Sequence, residues 1–173
     1  MIDKKKEILD WVKVVLAALA IAFILNNFVI VNAQVPSGSM ENTVMTNDRV
    51  FALRLSYLFE DPKRGDIIVF PFPDDESVNY LKRIIGLPGE TVEIKDGKVY
   101  INNSKEPLEE DYLKETPIGS YGPYKVPDDS YFMLGDNRNI SKDSRYWENP
   151  YVKRDKIMGK VKIRYYPSIK LFK

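Results

Sequence analysis

Apolar positions are spread unevenly along this chain. From Val14 to Leu25 the sequence reads VVLAALAIAFIL, and after Asn26 and Asn27 it resumes as FVIV to Val31. The run has no polar face and about the length a helix needs to cross hydrocarbon. Beyond it the pattern changes to short segments rich in β-branched and aromatic residues, most of them closed by Gly, Pro, Asp or Asn. These are Arg49 to Leu55, Asp66 to Phe70, Val78 to Ile85, Thr91 to Ile94, Lys98 to Ile101, Tyr131 to Leu134 and Lys160 to Tyr166, and each reads as a strand. In EIKDGKVYI the Asp96-Gly97 pair predicts a tight hairpin. Glu106 to Pro127, rich in Pro, Gly, Tyr and acids, reads as a long surface loop with one short turn of helix. The expected fold is mainly β: coiled antiparallel sheets in a barrel-like domain, preceded by one N-terminal transmembrane helix.

Charge orients that helix. Lys4, Lys5, Lys6 and Lys13 precede the apolar run, and no Lys or Arg follows until Arg49, so the positive-inside rule puts the N-terminus in the cytoplasm. The expected organisation is therefore a cytoplasmic N-terminus over residues 1–10, a single anchor in the cell membrane over 11–31, and an extracytoplasmic β-rich domain over 32–173. A secretory signal peptide shares the basic start, and Val31-Asn32-Ala33 offers small or short residues for cleavage. The apolar segment is longer than a usual signal-peptide core, which favours a retained anchor.

Composition narrows the chemistry. The 173 residues are 44% hydrophobic and carry 26 basic against 25 acidic side chains, a formal net charge of +1 with the basic residues dispersed. Nothing there points to nucleic acid. The chain has no cysteine and no histidine. Ser-His-Asp and Cys-His catalysis are excluded, the common zinc sites lose their ligands, and any general base must be a carboxylate, a lysine, a tyrosine or the terminal amine.

Three segments remain as candidates. VPSGSM, Val35 to Met40, has the composition of a flexible linker, yet it also places Ser37 and Ser39 just past the apolar run. In SVNYLKRIIG, strand alternation puts Lys82 on one face with Val78, Tyr80 and Ile84. At an ordinary pKa of about 10.4 only roughly one lysine in 2,500 is neutral at pH 7, so a basic Lys82 requires burial, and snorkelling to water is the alternative. In MLGDNRNISKDSRYW, the density of polar residues around Asp136, Asn137 and Arg138 suggests a hydrogen-bonded turn braced by an Asp143–Arg145 pair.

Taken in order, PSGSM, KRGDIIVF, YLKRIIGLPGE and GDNRNISKDSRYW resemble the boxes of the type I signal peptidases, in the compact Gram-positive form. The resemblance implies a membrane-bound serine endopeptidase, with no cofactor or metal, that removes signal peptides from exported preproteins after Ala-X-Ala-like sites. It implies Ser39 as nucleophile and Lys82 as general base, with the Ser37 hydroxyl and the Ser39 backbone N–H forming the oxyanion hole. Ser141 would hydrogen-bond and orient the Lys82 amine, Gly135 would leave room for that amine, and Asp143 and Arg145 would brace the loop. An extended preprotein segment would lie as an added strand between Gln34, Val35 and Pro36 and the stretch Asn79, Tyr80 and Leu81. Phe51, Leu53, Leu55, Leu58 and Phe59 would rest on lipid or pack in the core.

The chain departs from the family in three places. Asn42 stands where proline is usual, which predicts a looser turn after Ser39, while Asn139 replaces a common aspartate and Ile140 a polar residue. Rival readings fare worse. A Ser-Lys self-cleaving repressor would carry a DNA-binding module in place of the apolar run, and a penicillin-binding enzyme needs S-x-x-K, which no serine here satisfies. A membrane-anchored, non-enzymatic β-domain that binds extracellular peptide is the remaining alternative. It predicts Ser39 and Lys82 far apart.

Overall fold

The computed structural model describes residues 4–172. The apolar run forms helix α1, Lys4–Ile24, which continues through a single π turn over Leu25–Val29 before the chain straightens into strand β1, Ile30–Gln34. The helix therefore begins upstream of residue 11, and the strand takes over the last part of the run expected as anchor. None of the residues of α1 is buried, and Trp11, Leu16, Leu19 and Phe23 are among the side chains it exposes. At about 1.5 Å per residue its 21 residues rise roughly 32 Å, close to the thickness of a bilayer's hydrocarbon.

The rest of the chain is antiparallel sheet. Strands β2 (Arg49–Leu53), β3 (Ile67–Phe72), β4 (Asp75–Gly86), β8 (Ser130–Leu134), β9 (Tyr151–Lys153) and β10 (Gly159–Tyr166) join β1 in the order β1-β2-β10-β3-β4-β8-β9, with β11 (Lys170–Leu171) paired to β10. The path ends on β1 and on β9, so the large sheet stays open and does not close into the expected barrel. A smaller sheet, β6-β5-β7, is built from β5 (Thr91–Lys95), β6 (Lys98–Ile101) and β7 (Tyr121–Lys125). The β5–β6 hairpin turns on Asp96 and Gly97, both at positive φ (49° and 78°), as a two-residue primed turn demands.

Three apolar clusters hold these layers, and β3 shows how. Its Ile67 and Val69 pack with Val50 and Val161 on one side, and Ile68 and Phe70 with Tyr131 and Trp147 on the other. A strand buried on both faces reads as a continuous apolar run, which is what IIVF is. Ile85, Val92, Val99 and Phe132 tie the small sheet to the large one.

Two features differ from the expected pattern. Tyr121–Lys125 is a strand paired to β5, not loop, and the expected turn of helix is absent between residues 106 and 127. Gly122 and Pro123 disguise it, because neither favours a strand and an edge position such as β7 tolerates both. Of the apolar side chains weighed for lipid, Phe51 is half-buried and stacks on Tyr165 with ring centroids 4.2 Å apart. Leu55, Leu58 and Phe59 are exposed, Phe59 almost completely at 94%.

Candidate active site

The site lies where β1, β4 and the segment after β8 converge. Residues Gly38–Met40 form one 3-10 turn directly after β1, and Met40, fully buried in the first cluster, pins it to the core. Ser39 is thereby held at the base of a groove, itself only 8% exposed.

Lys82 arrives from β4. Its neighbour across the ladder is Ile68, which is fully buried, and Ile84 beside it on the same face is buried too. Lys82 is only 4% exposed, and its amine lies 5.2 Å from the centre of the Tyr80 ring. Burial disfavours the ammonium and drives its pKa from 10.5 down to about 8, against the opposing attraction of Asp143 and Asp136. Lys82 Nζ sits 2.6 Å from Ser39 Oγ. At that distance a neutral amine can accept the hydroxyl proton, and an ammonium can donate to the oxygen. The separation that a non-enzymatic domain predicts is not found.

The other expected residues are distributed around this pair. Ser37 Oγ lies 3.4 Å from Ser39 Oγ, on an exposed residue at the rim. Ser141 is buried, but its hydroxyl has no hydrogen-bond partner among the described residues, so the expected contact with the Lys82 amine is not made. The space left by Gly135 is filled most closely by the Ser141 and Ser39 segments. A Cβ there would come within 2.2 Å of Ser141 Oγ and 2.5 Å of the Ser39 carbonyl oxygen, so the bare backbone lets the Ser141 hydroxyl and the Ser39 turn pack against it. Asp143 receives the Arg145 guanidinium on both oxygens, at 2.8 and 2.9 Å, and accepts from the Gly135 N–H at 3.0 Å. Gln34, Val35 and Pro36 form one wall of a groove of about 610 Å³ and Asn79, Tyr80 and Leu81 the other, with Ser37, Ser39 and Lys82 also lining it.

Several residues that fasten the site carried no role in the sequence reading. Asn137 donates from its backbone N–H to the Ser39 carbonyl and from its side-chain amide to the Gly38 carbonyl, each at 3.0 Å. Arg83 points away from Lys82, as strand alternation requires, and grips Asp136 through two contacts of 2.8 and 2.6 Å. Thr43 donates its hydroxyl to the same carboxylate. Alternation could have flagged Arg83, since it puts a second cation on the reverse face of the same strand. The pairing with a carboxylate 53 residues away had no sequence signal.

The departures at Asn42 and Asn139 are accommodated by specific bonds. Asn42 adopts φ +84°, a backbone closed to proline and one that asparagine tolerates better than most residues. Its amide donates to the Tyr112 carbonyl at 3.1 Å, so the turn after Ser39 is tied down where a looser one was expected. Asn139 accepts from the Ile118 N–H at 3.0 Å and donates to the Thr116 carbonyl at 3.1 Å, a pair of bonds that aspartate could not complete. Ile140 is 62% exposed on the groove wall.

Comparison with known proteins agrees with this architecture. The family described as signal peptidase, peptidase S26, matches residues 8–166. A probable signal peptidase I-2 of Synechocystis sp. is 41% identical over 95% of this chain and 79% of its own length. Signal peptidase I S of Bacillus subtilis is 38% identical over 96% of this chain and 93% of its own. Among solved structures, a signal peptidase I from Enterococcus faecalis V583 superposes with a TM-score of 0.51 at 39% identity, covering 58% of this chain and 97% of that one. With a family match over most of its length and relatives this similar end to end, the chain belongs to the signal peptidase family, peptidase S26.

Proposed function

We propose that this chain is a membrane-anchored signal peptidase I that cleaves exported preproteins with a Ser39–Lys82 dyad. The observation that carries the reading is the 2.6 Å approach of a buried lysine amine, its pKa lowered to about 8, to a serine hydroxyl at the floor of an open groove. In a chain with no histidine or cysteine, that pair supplies both nucleophile and base.

The neutral Lys82 amine takes the Ser39 hydroxyl proton as Oγ attacks the scissile carbonyl. The new oxyanion is held by the Ser39 backbone N–H and the Ser37 hydroxyl, whose place on the rim lets it swing towards the reacting carbon. The Lys82 ammonium then delivers its proton to the leaving amine, which departs as the new N-terminus of the mature protein and leaves an acyl-Ser39 ester. A water molecule, deprotonated by the same amine, hydrolyses that ester and restores the hydroxyl. The substrate lies extended between 34–36 and 79–81, where backbone groups of both walls can pair with it and small side chains fit beside Ser39. Cutting after Ala-X-Ala-like residues is the specificity that the family resemblance implies for this groove.

Helix α1 is the proposed anchor. Exposed in water, its apolar side chains on every side would be unfavourable; in hydrocarbon they are not. It would hold the groove at the outer membrane surface, where preproteins emerge with their cleavage sites close to the lipid.

The test is cleavage of a preprotein with an Ala-X-Ala site. Ser39→Ala and Lys82→Met should each reduce it by at least about a thousandfold, as loss of a unit member does in serine hydrolases. Normal cleavage by either variant would overturn the dyad.

A further inference from the structure

Residues 110–118 carry no regular secondary structure, yet they touch all three segments of the site. Lys114 Nζ reaches Glu41 Oε2 at 2.8 Å, and Asn42 donates to the Tyr112 carbonyl, both just past Ser39. Asn139, in the segment after β8, bonds Thr116 and Ile118. The most buried ties run through two arginines. Glu110 accepts from the two terminal guanidinium nitrogens of Arg138 in a pair whose side chains are only 5% and 2% exposed. The Arg83 guanidinium, one residue beyond Lys82, lies 3.9 Å from the centre of the Tyr112 ring. Tyr112 joins the two, because its hydroxyl donates to Glu110 at 2.7 Å.

We propose that residues 110–118 form a strap that sets the geometry of the Ser39–Lys82 pair, with Tyr112 as its positioning residue. The inference rests on the dyad reading above. Arg83 has its fork on Asp136 and its guanidinium 3.9 Å from the centre of the Tyr112 ring, and its side chain is only 10% exposed, so the ring helps to keep water from the cation. Cation–π contact of this kind gains strength as it is desolvated. Asp136 in turn leads to the nucleophile, through Thr43 on one side and through Asn137, which grips the Gly38 and Ser39 carbonyls, on the other. Removing the ring lets Arg83 hydrate and loosens its hold on Asp136. Both reacting groups are then less firmly placed, and a misplacement of about 1 Å can lower turnover roughly a hundredfold.

The same change reaches the base. The charged groups around the Lys82 amine are Asp143, held by Arg145; Asp136, held by Arg83; and Lys142 on the groove wall. An Asp136 charge less offset by Arg83 favours the ammonium, so the pH at which activity rises should move upwards.

The experiment compares Tyr112→Ala, Tyr112→Phe and Val99→Ala in the full-length protein, with Ser39→Ala as the reference for the dyad. Val99 is a fully buried residue of the small sheet, in the apolar cluster against which Tyr112 also packs, and its truncation weakens that packing without removing the ring from Arg83, which separates lost stability from lost positioning. Tyr112→Ala should lower kcat at least about tenfold with KM within about twofold, and should shift the alkaline rise of kcat/KM upwards. Tyr112→Phe, which keeps the ring over Arg83, should stay within about threefold of the parent. Val99→Ala should lower the unfolding temperature and leave the pH profile in place. If Tyr112→Ala does not fold, Tyr112→Leu at the same position carries the test. Unchanged kcat in the alanine variant, or a pH profile that moves equally in Val99→Ala, overturns the strap. Cleavage retained by Ser39→Ala would instead overturn the dyad on which it rests.

Discussion

A neutral amine at Lys82 is what the proposed chemistry needs, and burial sets where on the pH scale that amine becomes available. With its pKa near 8, kcat/KM should climb from neutral pH and level off above about 9. A flat profile over that range would rule Lys82 out as the titrating base. Lys82→Arg, which retains a cation that never deprotonates, should be inactive at every pH. Stability moves in the same direction. The folded-state pKa lies below the ordinary 10.5, so the unfolded chain binds the extra proton between about pH 8 and 10.5, and wild-type stability rises with pH across that window. Below about 8 the folded protein bears the whole burden of a buried ammonium, roughly 3 kcal/mol. Lys82→Met, which also loses the Ser39 hydrogen bond worth about 1 kcal/mol, should therefore be the more stable protein at pH 7 by roughly 2 kcal/mol. Unfolding in detergent at pH 7 and at pH 10.5 checks this, and the advantage should vanish at the higher pH.

At the scale of elements, β4 is the piece that assembles the site. Alternation lets one strand send Lys82 to Ser39 and Arg83 to Asp136, so one backbone fixes the proposed base and the clamp together. The segment after β8 completes it through Asp143 and Arg145, a pair whose side chains are 0% and 2% exposed. Arg145→Ala leaves that carboxylate buried without its partner and should destabilise the fold by roughly 3–5 kcal/mol, measured by denaturant unfolding. Asp143→Asn is the milder probe. It removes a negative charge that raises the Lys82 pKa, so the alkaline rise in activity should move below about 8, and a shift upwards would mean that water had entered instead.

At the scale of the molecule, the proposed anchoring of α1 would decide where the chemistry happens. Protease added outside intact cells should digest the domain beyond Met40 and spare the epitope containing Lys4, Lys5 and Lys6. The reverse protection pattern would invert the topology. The absence of Lys and Arg between Lys13 and Arg49 is the basis for that orientation. The exposed Leu55, Leu58 and Phe59 belong to the short 3-10 turn after β2 and its continuation, and the π turn at the foot of α1 packs near that same turn.

Local pattern was enough to read the apolar helix, most of the strands and the Asp96-Gly97 hairpin, because each depends on residues close together in the chain. Ser39 and Lys82 are nominated by the ordered resemblance of four boxes to a known family, since local pattern alone leaves VPSGSM readable as a linker and Lys82 as a side chain snorkelling to water. What needed the folded molecule was everything that joins distant segments: the open path of the large sheet, the strand hidden in Tyr121–Lys125, the unpartnered Ser141 hydroxyl, and the ties from Tyr112 to Arg83 and from Asn137 to Ser39. Those contacts arise when packing brings remote residues within hydrogen-bond reach. A one-dimensional pattern records periodicity and composition, and neither encodes which remote partner a buried polar group will meet.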